Sequence, residues 1–405
     1  MTSPTSPTEE LQAASGLESA AEPPGERIRF PALDGLRGLA ALAVVSTHVG
    51  FQTGRTARPG PAASILSRGD FGVTVFFLLS GFLLYRPLAN GMRRSTTSTY
   101  LRRRALRVLP AYWVAVVAAF VLLPLNRGGT AGEWVKHLVL VQIYFDKPLP
   151  AGLTQMWSLC TEVAFYITMP LYALAVARRR RRRGEAIGSR TDAVALGFLV
   201  VVGWAWTAAA AGPHLPSSAH LWLPAYVDWF ALGMGLAVMH HRVTRGEQDG
   251  LSVAVRDLAR APGTCLSIGA LLLLLACTPL AGPKLLLPPT TWEALVKHVL
   301  YGLSAFWLLL PAVFARPGGT AWTRFLGSKP LHLVGLVSYS VFALHLVVLD
   351  FVFRALDIHV FTGHFGTVWL VTVAASLAVA AVSYRLVERP ALQWGHRSGA
   401  HSRRV

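Results

Sequence analysis

The sequence predicts an all-α, polytopic membrane protein of about ten transmembrane helices, and three observations carry that expectation. Of the 405 residues, 53% are hydrophobic and only 14% charged, with a mean hydropathy of +0.46, far more apolar chain than a soluble core needs. The apolar residues fall into runs near the roughly 20 residues that a bilayer demands. Between the runs, lysine and arginine alternate in density, as they do when short cytoplasmic loops retain positive charge. The formal net charge of +18 would otherwise suggest nucleic acid. That partner needs a solvated basic face, whereas these charges cluster between apolar runs, so no nucleic-acid binding is expected.

Taken in order, residues 1–28 form a tail rich in Ser, Thr, Pro and Glu with no basic-then-apolar signal peptide, expected to be disordered and cytoplasmic. A membrane domain follows over 29–390, with spans expected at about 33–52, 71–89, 104–125, 154–177, 191–211, 218–240, 263–282, 293–315, 331–354 and 366–387. Residues 391–405 are a short basic cytoplasmic tail. Residues 133–146, EWVKHLVLVQIYFD, are apolar but short and are placed as a re-entrant or interfacial helix. With that arrangement the cytoplasmic loops carry 20 basic residues, including Arg86, Arg93, Arg94 and the run Arg178 to Arg183, and the opposite loops carry seven, among them Lys147. Both termini are therefore expected in the cytoplasm. Cys160, Cys265 and Cys277 lie in apolar runs without metal-ligand spacing, so free buried thiols and no metal site are expected.

Polar residues inside such spans are costly and tend to be functional. In LDGLRGLAALAVVSTHVGF (33–51), Arg37 and His48 are eleven positions apart. At about 100° per residue they share a helix face, roughly 16 Å apart along the axis. The competing interpretation is a snorkelling arginine and a histidine that only bonds a neighbouring helix. In TQMWSLCTEVAFY, Ser158 and Glu162 share a face, and depth counting puts Glu162 level with His48, where a carboxylate would orient an imidazole. Arg104 and Arg107, with Arg102 and Arg103 adjoining, form a cluster able to hold phosphates bidentately, or to anchor anionic lipid. The Arg178–Arg183 run reads as topological or lipid-binding. His345 lies at mid-membrane, Glu388 beside Arg389 at the inner surface suggests an interfacial ion pair, and His240 and His241 read as interfacial.

These segments together resemble the acyltransferase type 3 family of polytopic membrane O-acyltransferases. The resemblance rests on the LDGLRG start with Arg37 and His48, and on FGVTVFFLLSGFLL at 71–84. It continues with Arg104, Arg107 and Pro110, then Trp157, Ser158, Leu159 and Glu162. The later matches are Ser338, Tyr339, Ser340 and His345, then Tyr384, Glu388 and Pro390. One departure is Cys160-Thr161 where the family more often has Ser-Val and paired acids, which leaves Glu162 as the sole carboxylate of its segment.

The resemblance implies an acyl-CoA donor, most simply acetyl-CoA, used from the cytoplasm, and a hydroxyl acceptor on a carbohydrate or other polyhydroxylated compound. Arg104, Arg107 and Arg37 would hold the CoA phosphates, His48 would act as general base, and Glu162 would orient it. Trp157, Ser158 and His345 would shape the acyl and acceptor site. An acyl-serine or acyl-histidine carrier, with Ser158 in the first case, is an alternative route. The Ala, Arg and Gly bias resembles a high-GC actinobacterium, which points to a bacterial plasma membrane and to envelope glycans or a small glycosylated natural product such as an antibiotic as acceptor. No appended esterase-like domain is expected after Glu388. The competing class is a proton-coupled exporter with buried His, Glu and Arg as its relay.

Overall fold

The computed structural model describes residues 30–89, 97–145, 148–284, 287–315 and 319–401. The tail over 1–28, the loop charges Arg93, Arg94, Lys147 and Arg316, and residues 402–405 lie outside the described residues. Within them every regular element is a helix. In chain order they are α1 (Pro31–Gln52), α2 (Pro61–Ser67), α3 (Phe71–Ala89), α4 (Thr97–Leu122), α5 (Ala131–Leu138), α6 (Trp157–Arg183), α7 (Arg190–Ala210) and α8 (Val227–Thr244). They continue as α9 (Gly250–Ala259), α10 (Pro262–Ala276), α11 (Thr291–Val313), α12 (Ala321–Leu326), α13 (Lys329–Ala355), α14 (Phe365–Ser383) and α15 (Arg389–His401).

Seven of the described helical segments are long and apolar enough to cross a bilayer, and α9 with α10, bent by 87°, makes an eighth when read as one broken span. Helices α1 and α8 have 22 and 18 residues, enough to span, but carry Asp34, Arg37 and His48 or Asp228, His240 and Arg242. Added on length alone, they would bring the eight candidates to the ten spans expected from the sequence. Residues 133–145, the described part of that segment, hold the end of the eight-residue α5 and a 3₁₀ turn over Gln142–Tyr144. An eight-residue helix is only about 12 Å long and does not cross.

Three boundaries differ from expectation. The span placed at 218–240 begins only at Val227, because Pro216 and Pro224 start two 3₁₀ turns ahead of α8. The span at 263–282 ends at Ala276, short of Pro279. The third span starts at Thr97, so Arg102, Arg103, Arg104 and Arg107 belong to α4 itself. At the C-terminus, α14 passes through a π-helical turn (Tyr384–Glu388) into α15, so residues 389–401 are helical instead of a loose tail, and Arg102 donates to the Gly395 carbonyl at 3.0 Å. Such single π turns recur at functional sites.

Apolar lipid-facing helices gain little from hydrophobic burial against one another, so close backbone approach through small residues has to hold them. Here Gly81 of α3 and Gly233 of α8 lie back to back. A Cβ at Gly81 would fall 2.2 Å from the Phe230 carbonyl oxygen, and one at Gly233 would fall 2.0 Å from that of Leu78. Gly335 of α13 similarly presses on the Asp34 carbonyl of α1, and Gly69, just ahead of α3, on that of Ala43. Helix α1 is thereby clasped between α3 and α13, which sets the geometry of the site. The thiols of Cys160 and Cys265 are free and buried, and that of Cys277 is free and half-buried.

The arginine run is not purely topological. Arg180 is buried and makes two 3.1 Å bonds to Asp192 of α7, which also accepts from Tyr85 at 3.3 Å and the Gly188 amide at 2.8 Å. His240 and His241, expected at the interface, are both buried, His240 among Phe30, Phe82 and Phe314.

Candidate active site

Helices α1, α3, α4, α6 and α13 enclose a cleft with about 790 Å³ of space not filled by atoms, part of it open to the outside. Arg37, Arg104 and Arg107 all reach it, together with Ser158, Glu162, Ser80, Tyr166, Ser338 and Tyr339. Two helices far apart in sequence thus bring their guanidinium groups to one cavity. Arg37 is only loosely tied to Asp34, at 3.4 Å, while Asp34 also lies 3.4 Å from His332. The Nε of Arg104 is buried without a hydrogen-bond partner, a costly state unless something else fills its donor. Its guanidinium lies 6.0 Å from the Tyr100 ring.

Glu162 faces this same cleft. Its Oε1 accepts from the Ser80 hydroxyl and, at 2.7 Å, from Tyr166 one helical turn on. The expected His48–Glu162 pair does not form. The reason lies in residues 150–157: Leu153, Gln155 and Met156 are buried, and Gln155 donates to the Phe342 and Ala343 carbonyls of α13 at 3.4 and 3.1 Å. Helix α6 therefore starts inside the bundle, and depth counted from a membrane surface places Glu162 too high.

His48 pairs with His345 instead. Nδ1 of His48 and Nε2 of His345 are 2.9 Å apart, with the rings stacked at 5.1 Å between centroids. Nδ1 of His345 faces only acceptors, the Val341 and Phe342 carbonyls at 3.1 and 2.9 Å, so it carries the hydrogen. Its Nε2 is then an acceptor, and His48 donates through Nδ1–H. This chain of bonds assigns both tautomers and leaves the Nε2 lone pair of His48 unused. His345 is fully buried whereas His48 is half-buried. Phe342, on the cleft wall, lies 6.0 Å from the His345 ring and packs edge-on against Phe76, which lines the same cleft, so the aromatic side of the cleft adjoins the histidine pair.

Of the remaining candidates, Ser158 lines the cleft and donates to the Gln155 carbonyl at 3.1 Å. Trp157 turns away, packing 5.1 Å from Tyr226 and 6.3 Å from Phe77. Glu388 is not an interfacial partner of Arg389: it is buried and accepts from Ser340, whose oxygen in turn accepts from the Ser383 hydroxyl at 2.9 Å. Sequence reasoning passed over two further charge pairs in the bundle, His298 with Asp228 at 2.8 Å and Lys297 with Asp70 at 2.8 Å. Their signal was available, since a charged residue inside an apolar run is the criterion that found His48. Among the described residues no group of His, Cys, Asp and Glu is arranged to hold a metal ion.

Residues 30–387 match the model of an acyltransferase domain. The acyltransferase MdmB of Streptomyces mycarofaciens is 30% identical over 271 residues, covering 63% of this chain and 68% of that protein. The O-acetyltransferase OatA of Staphylococcus aureus is 23% identical over 392 residues, 92% of this chain but 58% of OatA. The peptidoglycan O-acetyltransferase OatA of Listeria monocytogenes is 30% identical over 164 residues, covering 36% of this chain and 24% of that protein. This chain thus spans little more than half of the Staphylococcus relative's length. With the family model matched over nearly all of the helical bundle, the chain belongs to the acyltransferase type 3 family.

Proposed function

We propose that the protein is an O-acyltransferase of a bacterial plasma membrane, moving an acyl group, most simply acetyl, from cytoplasmic acyl-CoA to a hydroxyl of a carbohydrate acceptor. The observation that carries this reading is the convergence of Arg37, Arg104 and Arg107 on one cleft whose aromatic end adjoins the His48–His345 pair. Guanidinium groups bind phosphate oxygens bidentately, so the three arginines are the place for the CoA phosphates. The pantetheine arm would run along the cleft and present the thioester near His48.

His48 acts as general base. Its unused Nε2 takes the proton of the acceptor hydroxyl as the oxygen attacks the thioester carbonyl, and returns it to the departing thiolate sulfur. His345 holds the Nδ1–H of His48 and so keeps the lone pair on the reacting side, the part that an orienting carboxylate plays in other triads. Glu162, held by Ser80 and Tyr166, balances the positive charge of the cleft instead of orienting His48. The peptidoglycan O-acetyltransferase among the relatives favours an envelope glycan as acceptor.

The test is transfer of label from acetyl-CoA, supplied to the cytoplasmic face of membranes, into envelope and small-molecule fractions. Label in one fraction that disappears with His48→Ala supports the reading and identifies the acceptor class. Purified protein that fails to bind any acyl-CoA would overturn it.

A further inference from the structure

The Lys297–Asp70 pair differs from two other charge pairs that join helices of the bundle. Arg180–Asp192 and His298–Asp228 are sealed, their side chains 10% exposed or less. In the Lys297–Asp70 pair the side chains are 32% and 45% exposed, although both sit where α3 and α11 meet. Closing a charge pair off from water costs desolvation, so the two sealed pairs are kept by their geometry and hydrogen bonds, whereas Lys297–Asp70 keeps polar capacity that a ligand can use. This one faces open space. The Tyr301 hydroxyl donates to Asp70 Oδ1 at 2.7 Å and Lys297 Nζ to Oδ2 at 2.8 Å, which leaves further acceptor capacity on the carboxylate and two hydrogens on the ammonium.

The cluster is rigid and close to the reacting base. The Tyr301 ring is buried against Phe71 (5.4 Å between centroids), and Arg68 is committed to the carbonyls of Ala276, Ala281 and Gly282 at 2.8 to 3.2 Å. Glycine at position 69 lets the chain just before α3 lie on α1. A Cβ there would be 2.3 Å from the Ala43 carbonyl and 3.0 Å from Thr47, the neighbour of His48. Asp70 follows directly, beside the part of α1 that carries His48.

We propose that Asp70, Lys297 and Tyr301 form the acceptor subsite, and that its ligand is a neutral polyhydroxylated compound gripped through neighbouring hydroxyls. Within the cluster the carboxylate accepts from one hydroxyl while the ammonium donates to the next, the alternation a sugar diol presents. The paired ions sum to no net charge, so the site offers a charged acceptor no electrostatic advantage and suits a neutral one. The subsite rests on the acyl-transfer reading above, because it assigns the second substrate of that reaction. Its place beside α11 puts the acceptor on a different side of His48 from the arginine cleft, which includes no residue of α11.

The full chain in nanodiscs is titrated separately with chitotetraose, maltotetraose and acetyl-CoA while thermal stability is followed, for wild type, Asp70→Asn, Lys297→Met and Tyr301→Phe. The expected result is a saturable response of the wild type to at least one saccharide. Its affinity should fall roughly tenfold or more in Asp70→Asn and Lys297→Met, as expected for lost bonds to charged groups. The acetyl-CoA response should be unchanged in all three variants, which also reports that they are folded. Tyr301→Phe retains the ring packing and removes only the hydroxyl, so it decides the matter if an ion-pair variant fails to fold. Wild type without a saturable response to either saccharide, or variants that keep the wild-type response, would overturn the subsite. A wild type that answers to saccharide but not to acetyl-CoA, with the saccharide response lost in the variants, would support the subsite and overturn the donor reading alone.

Discussion

His48 and His345 differ in what each can do, and substitution separates them. His48→Ala removes the base and should lower kcat by about 10²–10⁴-fold with acyl-CoA affinity retained, measured by turnover beside equilibrium binding. His345→Gln keeps an amide oxygen near the position of Nε2 and should hold much of the activity, whereas His345→Leu frees the His48 tautomer and should approach the His48→Ala rate. Equal activity in the glutamine and leucine variants would show that His345 orients nothing. Arg104→Ala combined with Arg107→Ala should instead raise the donor KM first, roughly tenfold or more, since each removes charge-assisted bonds. At this scale the sequence could group only residues that share one helix. The i, i+3, i+4 and i+11 spacings identify Arg104 with Arg107, Ser158 with Glu162, and Arg37 with His48, because each pair lies on one helix. The His48–His345 pair joins residues 297 apart, and no helical periodicity reports a contact of that kind.

Between helices the governing feature is close backbone approach. Gly81→Ala should destabilise the protein by about 1–3 kcal/mol, because its methyl group meets the Phe230 carbonyl and the crossing has to open. Gly197→Ala, where a Cβ meets nothing within 4 Å, is the matching control and should be neutral in the same unfolding measurement. The connection between α6 and α7 offers a pH-dependent counterpart. Glu185 accepts from the Thr191 amide at 3.0 Å and the Ser189 hydroxyl at 2.7 Å. Hydrogen bonding from Thr191 and then Ser189 holds its carboxyl down at about 2 instead of the ordinary 4.5. Being depressed in the folded state, it adds stability fully present above 4.5 and lost as pH falls from there towards 2. Glu185→Gln should therefore lower Tm at neutral pH, and the difference from wild type should close across that window. Neither feature was legible in the sequence. A glycine in an apolar helix does not say which carbonyl it will touch, and a loop carboxylate does not say which amides will turn towards it.

For the whole molecule, the apolar run lengths anticipated a polytopic helical bundle, and the loop charges predict its orientation in the membrane. They did not give the 87° bend between α9 and α10 or the inward start of α6, because both are set by packing against other helices. The orientation predicts opposite labelling of two exposed loops. With Cys277 replaced, Thr362→Cys should react with a membrane-impermeant maleimide in intact cells, and Gln248→Cys only after permeabilisation. The reverse pattern would invert the membrane topology and place the arginine cleft away from cytoplasmic acyl-CoA.

The clasp of α1 between α3 and α13 also has a consequence for biogenesis. At about 5–20 residues per second, the ribosome needs roughly 15 to 60 s to travel from His48 to His345, a separation of 297 residues. Throughout that interval α1 is without the partner of His48, while Arg37 has Asp34 of the same helix at 3.4 Å. Its early contacts with α3, through Gly69 and Gly72, are then what keeps this polar helix inserted until α13 arrives. Chains interrupted before α13 should insert but assemble no active site, and supplying the missing C-terminal helices as a separate polypeptide should restore it.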